Sequence, residues 1–368
     1  MKFSCEKSSI LKEILLAHDT ISTKSTISIL SNVLLDVHDG LLHLNATDLK
    51  VAYKSQIPVQ ITNEGTVAVL CDRMLDILRS LPDGQISFEL KDTVYLSIVP
   101  EKSSIQFQLK CIPPDKFPEQ HGIADDLYME FPQKEFVDMV SKTIFAISDD
   151  ETRFFLNGVF LEKIENNLSM VASDGRRLAL IKKGFPGQVN DFNGVIVPPK
   201  ILHIIRKNAS GEGNLLLAIT EKNVFVKLDN HLFSSNLIEG KFPNYQKIIP
   251  EQHEYNVIVS KTSLLESLKR VSILVENKSR RVFIAIQGNT LTVSSEESEI
   301  GMAREELECE YSGPDISIAV NYLYLLEPIR EIGTEKIMIE FTDNKKALTV
   351  KPSGNDDYFN IVMPLQKD

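Results

Sequence analysis

What this chain of 368 residues lacks narrows its role before any motif is considered. No apolar run approaches the ~20 residues of a membrane helix, so no membrane partner is expected. The opening residues, MKFSCEKSSI, contain neither an apolar signal core nor a small-residue cleavage site, which points to a cytoplasmic protein. Cysteine is sparse. Cys5, Cys71, Cys111 and Cys309 stand far apart without a CxxC pair, as expected of reduced, buried thiols rather than disulfides or a zinc site. Neither GxxxxGK[ST] nor GxGxxG occurs, and Gly211-Glu212-Gly213 reads as a turn. HExxH and GxSxG are missing too, and the seven histidines are dispersed. Asp125-Asp126 and Asp149-Asp150 sit in loop-like stretches where carboxylates are solvated. No metal or cofactor is expected. A basic excess is also absent: the net charge is −11, against the usual footprint of a protein coated by nucleic acid.

What is present is repetition. With 43% hydrophobic and 25% charged residues the composition is that of a globular protein, and the length fits two or three domains. Three segments open alike, as a strand, a polar break and an amphipathic run: MKFSCEKSSILKEILLAHDTI, MEFPQKEFVDMVSKTIFAI and YNVIVSKTSLLESLKRVSIL. The breaks at Ser8-Ser9, Pro132-Gln133 and Ser260-Lys261-Thr262 offer helix-start chemistry. Alternating strands follow in each copy, with hairpin signals at Asp39-Gly40, Asn166-Asn167 and Gly288-Asn289. TVAVLCDRMLDILRSLPDGQISFEL, GVIVPPKILHIIRKNASGEGNLLLAI and DISIAVNYLYLLEPIREIGTEKIMIEF then each read strand, helix, turn, strand. Copies one and two close on KFP, at residues 116–118 and 241–243, and the third closes on IVMPLQKD. The expected boundaries are 1–126, 127–252 and 253–368. Strands predominate and do not alternate strictly with helices, so the fold class is α+β, two helices packed on antiparallel sheets in each of three tandem domains.

Charge is unevenly spread. Helical segments are expected within 7–24, 72–81, 133–147, 199–208, 261–281 and 321–331, and together they are net positive, chiefly through 199–208 and 261–281. In the fourth, Ile201, Ile204 and Ile205 share one face while Lys200, His203 and Lys207 lie together on another. In the fifth, Leu264, Leu268 and Val271 face inward and Arg270 points away. Helices gathered on one side of the sheets would present a weakly positive surface suited to phosphates, without a base-reading motif. The sharpest polar cluster is Asp174-Gly175-Arg176-Arg177. As an active site, Asp174 would be a base and the arginines an anion clamp. As a turn, the carboxylate would bond backbone amides and Gly175 would take a positive φ. Thr47-Asp48-Leu49 stands at the equivalent place in copy one, which favours the turn.

Several strings in order make the whole chain resemble the bacterial sliding clamp family, the beta subunit of DNA polymerase III. They are MKFSCEKSSILKEIL, ILSNVLLDV, NATDLKV, FFLNGVFLE, VASDGRRLAL, GKFPNYQKIIP, VNYLYLLEPIR and IVMPL. The resemblance implies three DNA-clamp domains per chain and a ring closed by a head-to-tail homodimer, its helices lining a hole around duplex DNA. It implies a non-catalytic processivity factor that binds double-stranded DNA through its backbone, the polymerase III alpha subunit, the clamp loader and other proteins bearing a Leu/Phe peptide. The peptide groove would use Leu156, Ser173, Gly175, Arg176, Arg177, Leu178, Pro243, Lys247, Ile248, Ile361, Val362, Met363, Pro364 and Leu365. Leu178, Ile248, Val362 and Met363 would supply its apolar walls. Lys24 and Lys200 match basic DNA-facing positions, with His203, Lys207 and Arg270 on the same helical faces. Phe107 and Leu109 would meet Ile273 and Leu274 across the dimer contact. Arg176 stands where histidine is frequent, Ser173 where threonine is, and Gln366-Lys367-Asp368 replaces a basic-apolar ending. Two other readings stay open: a scaffold of the same fold that does not load onto DNA, and a phosphoester hydrolase using Asp174.

Overall fold

A computed structural model describes residues 1–21, 28–118, 122–185 and 191–366. Among these are six helices: α1 (Lys7–Thr20), α2 (Cys71–Ser80), α3 (Gln133–Ser141), α4 (Pro199–Asn208), α5 (Lys261–Val271) and α6 (Tyr322–Glu331). Five fall within the segments expected from the sequence, and α2 begins one residue before its expected 72–81. Each buries an apolar stripe at helical spacing, as with Ile10, Ile14 and Ala17 in α1, all 0% exposed. The polar breaks behave differently from one another. Ser260 caps α5, its hydroxyl accepting from the Ser263 N–H, and Pro132 lies just before α3. Ser8 and Ser9 lie inside α1, whose cap position is Glu6 without a side-chain bond.

Twenty-five strands form two antiparallel sheets, one of 13 strands and one of 12. The chain divides into two compact units, Met1–Lys134 with Lys200–Leu237, and Glu135–Pro199 with Ile238–Asp368. Each unit is built on one sheet. In the first, strand Val51–Pro58 pairs with His231–Asn236, so copy one and part of copy two share a ladder. In the second, Arg177–Gly184 pairs with Tyr358–Val362 in the same way, joining copy two to copy three. Alternating strands allow this: one face carries the core and the ladder edge is free to continue.

The hairpin turns follow local chemistry. Asp39 and Gly40 both take positive φ, 50° and 78°, between strands Asn32–His38 and Leu41–Thr47. In copy two the turn falls at Glu165-Asn166, with Glu165 at φ 57°, one residue before the expected pair. The four cysteines are free and buried, and burial pushes the Cys5 and Cys71 thiols up to about 12. Among the described residues no helix is long and apolar enough to cross a membrane.

Candidate functional site

The ladder between Arg177–Gly184 and Tyr358–Val362 brings distant groove residues together. Leu178 lies opposite Ile361, and Arg177 opposite Val362. Leu156, Leu178 and Ile361 join Val171, Leu180 and Ile196 in an apolar cluster closed by Phe242 and Tyr245. Phe160 stacks on Phe242 with ring centroids 4.8 Å apart. The Tyr245 hydroxyl donates to Glu162, and burial first, then this bond, push the phenol above its ordinary range. Leu178 and Val362, expected as walls open to a guest, are 1% and 0% exposed. Leu178 packs into this cluster, whereas Val362 lies opposite Arg177 and so faces the other side of the sheet. Ile248, Met363 and Phe154 are exposed apolar residues, at 52%, 45% and 50%. Pro243, Lys247, Gly175 and Arg176 are exposed, whereas Pro364 and Leu365 are half-buried. The Met363 N–H donates to the Arg176 carbonyl at 3.0 Å, and the Leu365 N–H to the Ala319 carbonyl at 2.7 Å, which holds the closing residues in place.

The turn Ser173–Arg177 is fully committed to its own backbone. One Asp174 oxygen accepts from the N–H groups of Arg176 (2.8 Å) and Arg177 (3.0 Å), the other from Arg177 Nε at 3.0 Å. Ser173 Oγ donates to the Arg177 carbonyl at 2.7 Å and accepts from the Gly175 N–H at 3.1 Å. A base needs a free lone pair facing its substrate, and here both oxygens are taken. The turn reading therefore holds over the hydrolase. Gly175 has φ 88°, and a Cβ there would lie 2.6 Å from Arg153 Nη1. Arg153 is in turn held by Asp150 at 2.9 Å. Arg153, Phe154, Phe242, Tyr245, Tyr324 and Glu327 were not singled out from the sequence. Phe242 and Tyr245 lie inside the quoted GKFPNYQKIIP, so a signal was there, but nothing in the string says which aromatic faces the core.

The basic helix positions are less free than their charges suggested. Lys200 donates to Asp48 at 2.6 Å and to the Thr20 carbonyl at the end of α1. Lys207 pairs with Asp19 at 2.7 Å, and Arg270 meets Glu305 through two bonds. Burial, then Arg206, lowers the His203 pKa, which favours the neutral ring. Each of the three cations expected to face DNA is thus paired with a carboxylate, because acidic neighbours from other elements lie beside the helices. Lys24 lies outside the described residues.

Two strand segments have an open edge. Phe107–Lys110 pairs with Tyr95–Ile98 on one side, but strand Gly65–Leu70 joins the other side only at Cys111 and Ile112. Arg304–Glu308 pairs with Thr290–Ser294, and strand Tyr255–Ser260 joins its other side only from Cys309 onward. Phe107 and Leu109 are half-buried on the first edge. Ile273 is 76% exposed, and Leu274 lies beside Gly301, between Ile300 (70%) and Met302 (57%). The sequence reading did not include these last two residues, whose loop has no repeat counterpart.

Three consecutive copies of one strand-and-helix unit define a DNA-clamp fold. The profiles of the DNA polymerase III beta subunit match in order: the N-terminal domain over 1–121, the central domain over 130–244 and the C-terminal domain over 246–366. The beta sliding clamp of Treponema pallidum is 42% identical over 372 residues, covering 100% of both chains. A Pseudomonas aeruginosa sliding clamp solved bound to griselimycin superposes with TM-score 0.93 at 29% identity, and the Thermotoga maritima beta subunit with 0.91 at 28%, each covering 100% of both chains. The chain belongs to the DNA polymerase III beta subunit family, and its function is that of a non-catalytic sliding clamp.

Proposed function

We propose that this chain forms a head-to-tail homodimeric ring that encircles duplex DNA in the cytoplasm without sequence preference. Held there, it tethers the polymerase III alpha subunit, the clamp loader and other proteins through a Leu/Phe-bearing peptide. Its three domains span 1–126, 127–252 and 253–368. The observation that carries the reading is the pair of open edges. Residues 51–58 and 177–184 each take the last strand of the next copy as a neighbour, and Arg304–Tyr311 is the third strand of that set. Its free stretch, Arg304–Glu308, matches the free stretch of Phe107–Lys110, the last strand of copy one. Strand addition between chains satisfies both edges, and a heterologous contact of this kind closes into a ring. Ile273 and Leu274 cover the seam.

The groove takes its guest on Ile248, Met363, Phe154, Pro243 and Lys247, above the buried floor of Leu156, Leu178 and Ile361, with Val362 on the opposite face of its strand. Ser173, Gly175, Arg176, Arg177, Pro364 and Leu365 frame it. Retention by topology needs little charge, so paired cations at Lys200, Lys207 and Arg270 are tolerable, with Lys24 and His203 on the same side. The ion pairing does favour one other reading, a scaffold that never loads onto DNA. Release from nicked circular DNA separates them: a ring leaves slowly until the circle is cut. Equal release from circular and linear DNA would sink the encircling reading.

A further inference from the structure

The Arg177 side chain does something that a groove-lining residue need not do. It is only 11% exposed, and each of its three nitrogens donates within the fold. Nε meets Asp174 in its own turn, Nη1 donates to Glu327 on α6, and Nη2 donates to the carbonyl of Phe145. The guanidinium plane lies between two rings, 4.8 Å from Tyr324 of α6 and 5.5 Å from Phe145. Tyr324 and Glu327 are three residues apart on α6, so both reach the same spot. The next residue, Arg176, lends its carbonyl to the Met363 N–H. A continuous chain of contacts therefore runs from α6 through Arg177 to the turn, and from the turn to Met363 on the groove rim.

We propose that Arg177 is a positioning residue that fastens the groove turn to α6, so that Glu327, a residue outside the groove, governs peptide affinity. Arginine suits this task and lysine does not. A planar fork can stack between two rings while donating to three separate acceptors, whereas an ammonium is a point charge without a plane. The Glu327 carboxylate fixes the Nη1 end of the fork on α6, while the Phe145 carbonyl takes Nη2. Without it the guanidinium keeps Asp174 and Phe145 but loses its hydrogen bond to α6, and the rim formed by Gly175, Arg176 and Met363 relaxes. The inference rests on the proposed peptide groove.

The test uses the full chain and a fluorescent Leu/Phe-bearing peptide. Glu327→Gln and Arg177→Lys should each weaken binding by about tenfold, and the double variant no further than Arg177→Lys alone. Ring resonances of Tyr324 should shift on peptide addition in the unaltered protein and stay still in Arg177→Lys. Tyr53→Phe, which removes a buried bond to Glu13 in the other unit, is the control for lost stability and should leave the affinity unchanged. Should Arg177→Lys not fold, Glu327→Gln at a partly exposed site still decides the matter. Wild-type affinity in Glu327→Gln, or losses that multiply in the double variant, would overturn the positioning role. Failure of the unaltered protein to bind the peptide would overturn the groove reading instead.

Discussion

The turns Thr47–Val51 and Ser173–Arg177 share a backbone and differ in nearly everything attached to it. In the first, Thr47 Oγ1 donates to the Val51 carbonyl at 2.9 Å and accepts from the Leu49 N–H at 3.0 Å. Asp48 accepts from the N–H groups of Lys50 (2.9 Å) and Val51 (2.7 Å). Those are the four bonds that Ser173 and Asp174 make in the second. Beyond each turn, the Asn236 N–H donates to the Lys50 carbonyl at 2.9 Å, as the Met363 N–H does to Arg176 at 3.0 Å. The floor residues diverge: Leu178 and Ile361 are matched by Ala52 and Ser234, and Met363 by Asn236. A duplicated backbone with its apolar side chains removed is a joint, while the one that keeps them forms the proposed groove.

The central residue of the turn sharpens the point. Both positions have positive φ, 74° at Leu49 and 88° at Gly175, so the conformation alone does not demand glycine. Leucine tolerates it at a cost of roughly 1–2 kcal/mol, the usual penalty of the left-handed region. At Gly175 a side chain would in addition have to displace Arg153, whose Nη1 lies 2.6 Å from where a Cβ would stand.

The largest predicted effect makes the second joint like the first. Leu178→Ala should lower stability by about 2–5 kcal/mol and abolish peptide binding, read by thermal unfolding and fluorescence anisotropy. A variant that binds normally would mean the floor is irrelevant. Next comes a difference beneath the joints. His231 in the first ladder corresponds to Tyr358 in the second, and only His231 meets a buried acid, Glu13, which also accepts from Tyr53. Burial would raise the Glu13 pKa, but the bonds from His231 and Tyr53 outweigh it and hold the carboxyl below its ordinary 4.5. A depressed folded pKa stabilises above the unfolded value and is lost as pH falls through the folded one. Glu13→Gln should therefore cost about 1.5–3 kcal/mol at neutral pH, and the gap should close in acid as the pH falls through the lowered carboxyl pKa, in pH-resolved melting curves. A gap that persists in acid would contradict an ionised Glu13. Third, Asp48→Ala and Asp174→Ala should each cost about 1–2 kcal/mol, since each orphans two amides of the same turn. Unequal losses by chemical denaturation would show that Lys200 and Arg177 weight the turns differently. The smallest change, Leu49→Gly, should shift stability by no more than about 1 kcal/mol, the relief of φ strain opposing added chain entropy. A large loss would reveal an unseen role for the exposed leucine.

Much of this was legible because the repeat was. Six helices, the strand-rich class and the equivalence of Asp48 with Asp174 follow from periodicity and from three ordered echoes. Side-chain pairing across copies was not. Lys200 reads as a free cation because Asp48 is 152 residues away in the chain, and Arg177 reads as a groove donor because Glu327 is 150 residues away. Leu178 and Val362 look available to a guest until it is known that Leu178 packs into a cluster of distant residues and Val362 faces the other side of the sheet. Charge counts along helices likewise omit the carboxylates that neighbouring strands bring alongside.

The open edges at Phe107–Lys110 and Arg304–Glu308 have a kinetic consequence for the proposed ring. Three copies per chain make two seams whose halves are covalently tethered, and a third whose halves meet only by association between chains. A tethered seam that parts re-forms at high effective concentration, whereas the untethered one must wait for its ends to find each other. Strain applied anywhere in such a ring is released at that third seam, so the site of opening is written into the chain by where its repeats stop.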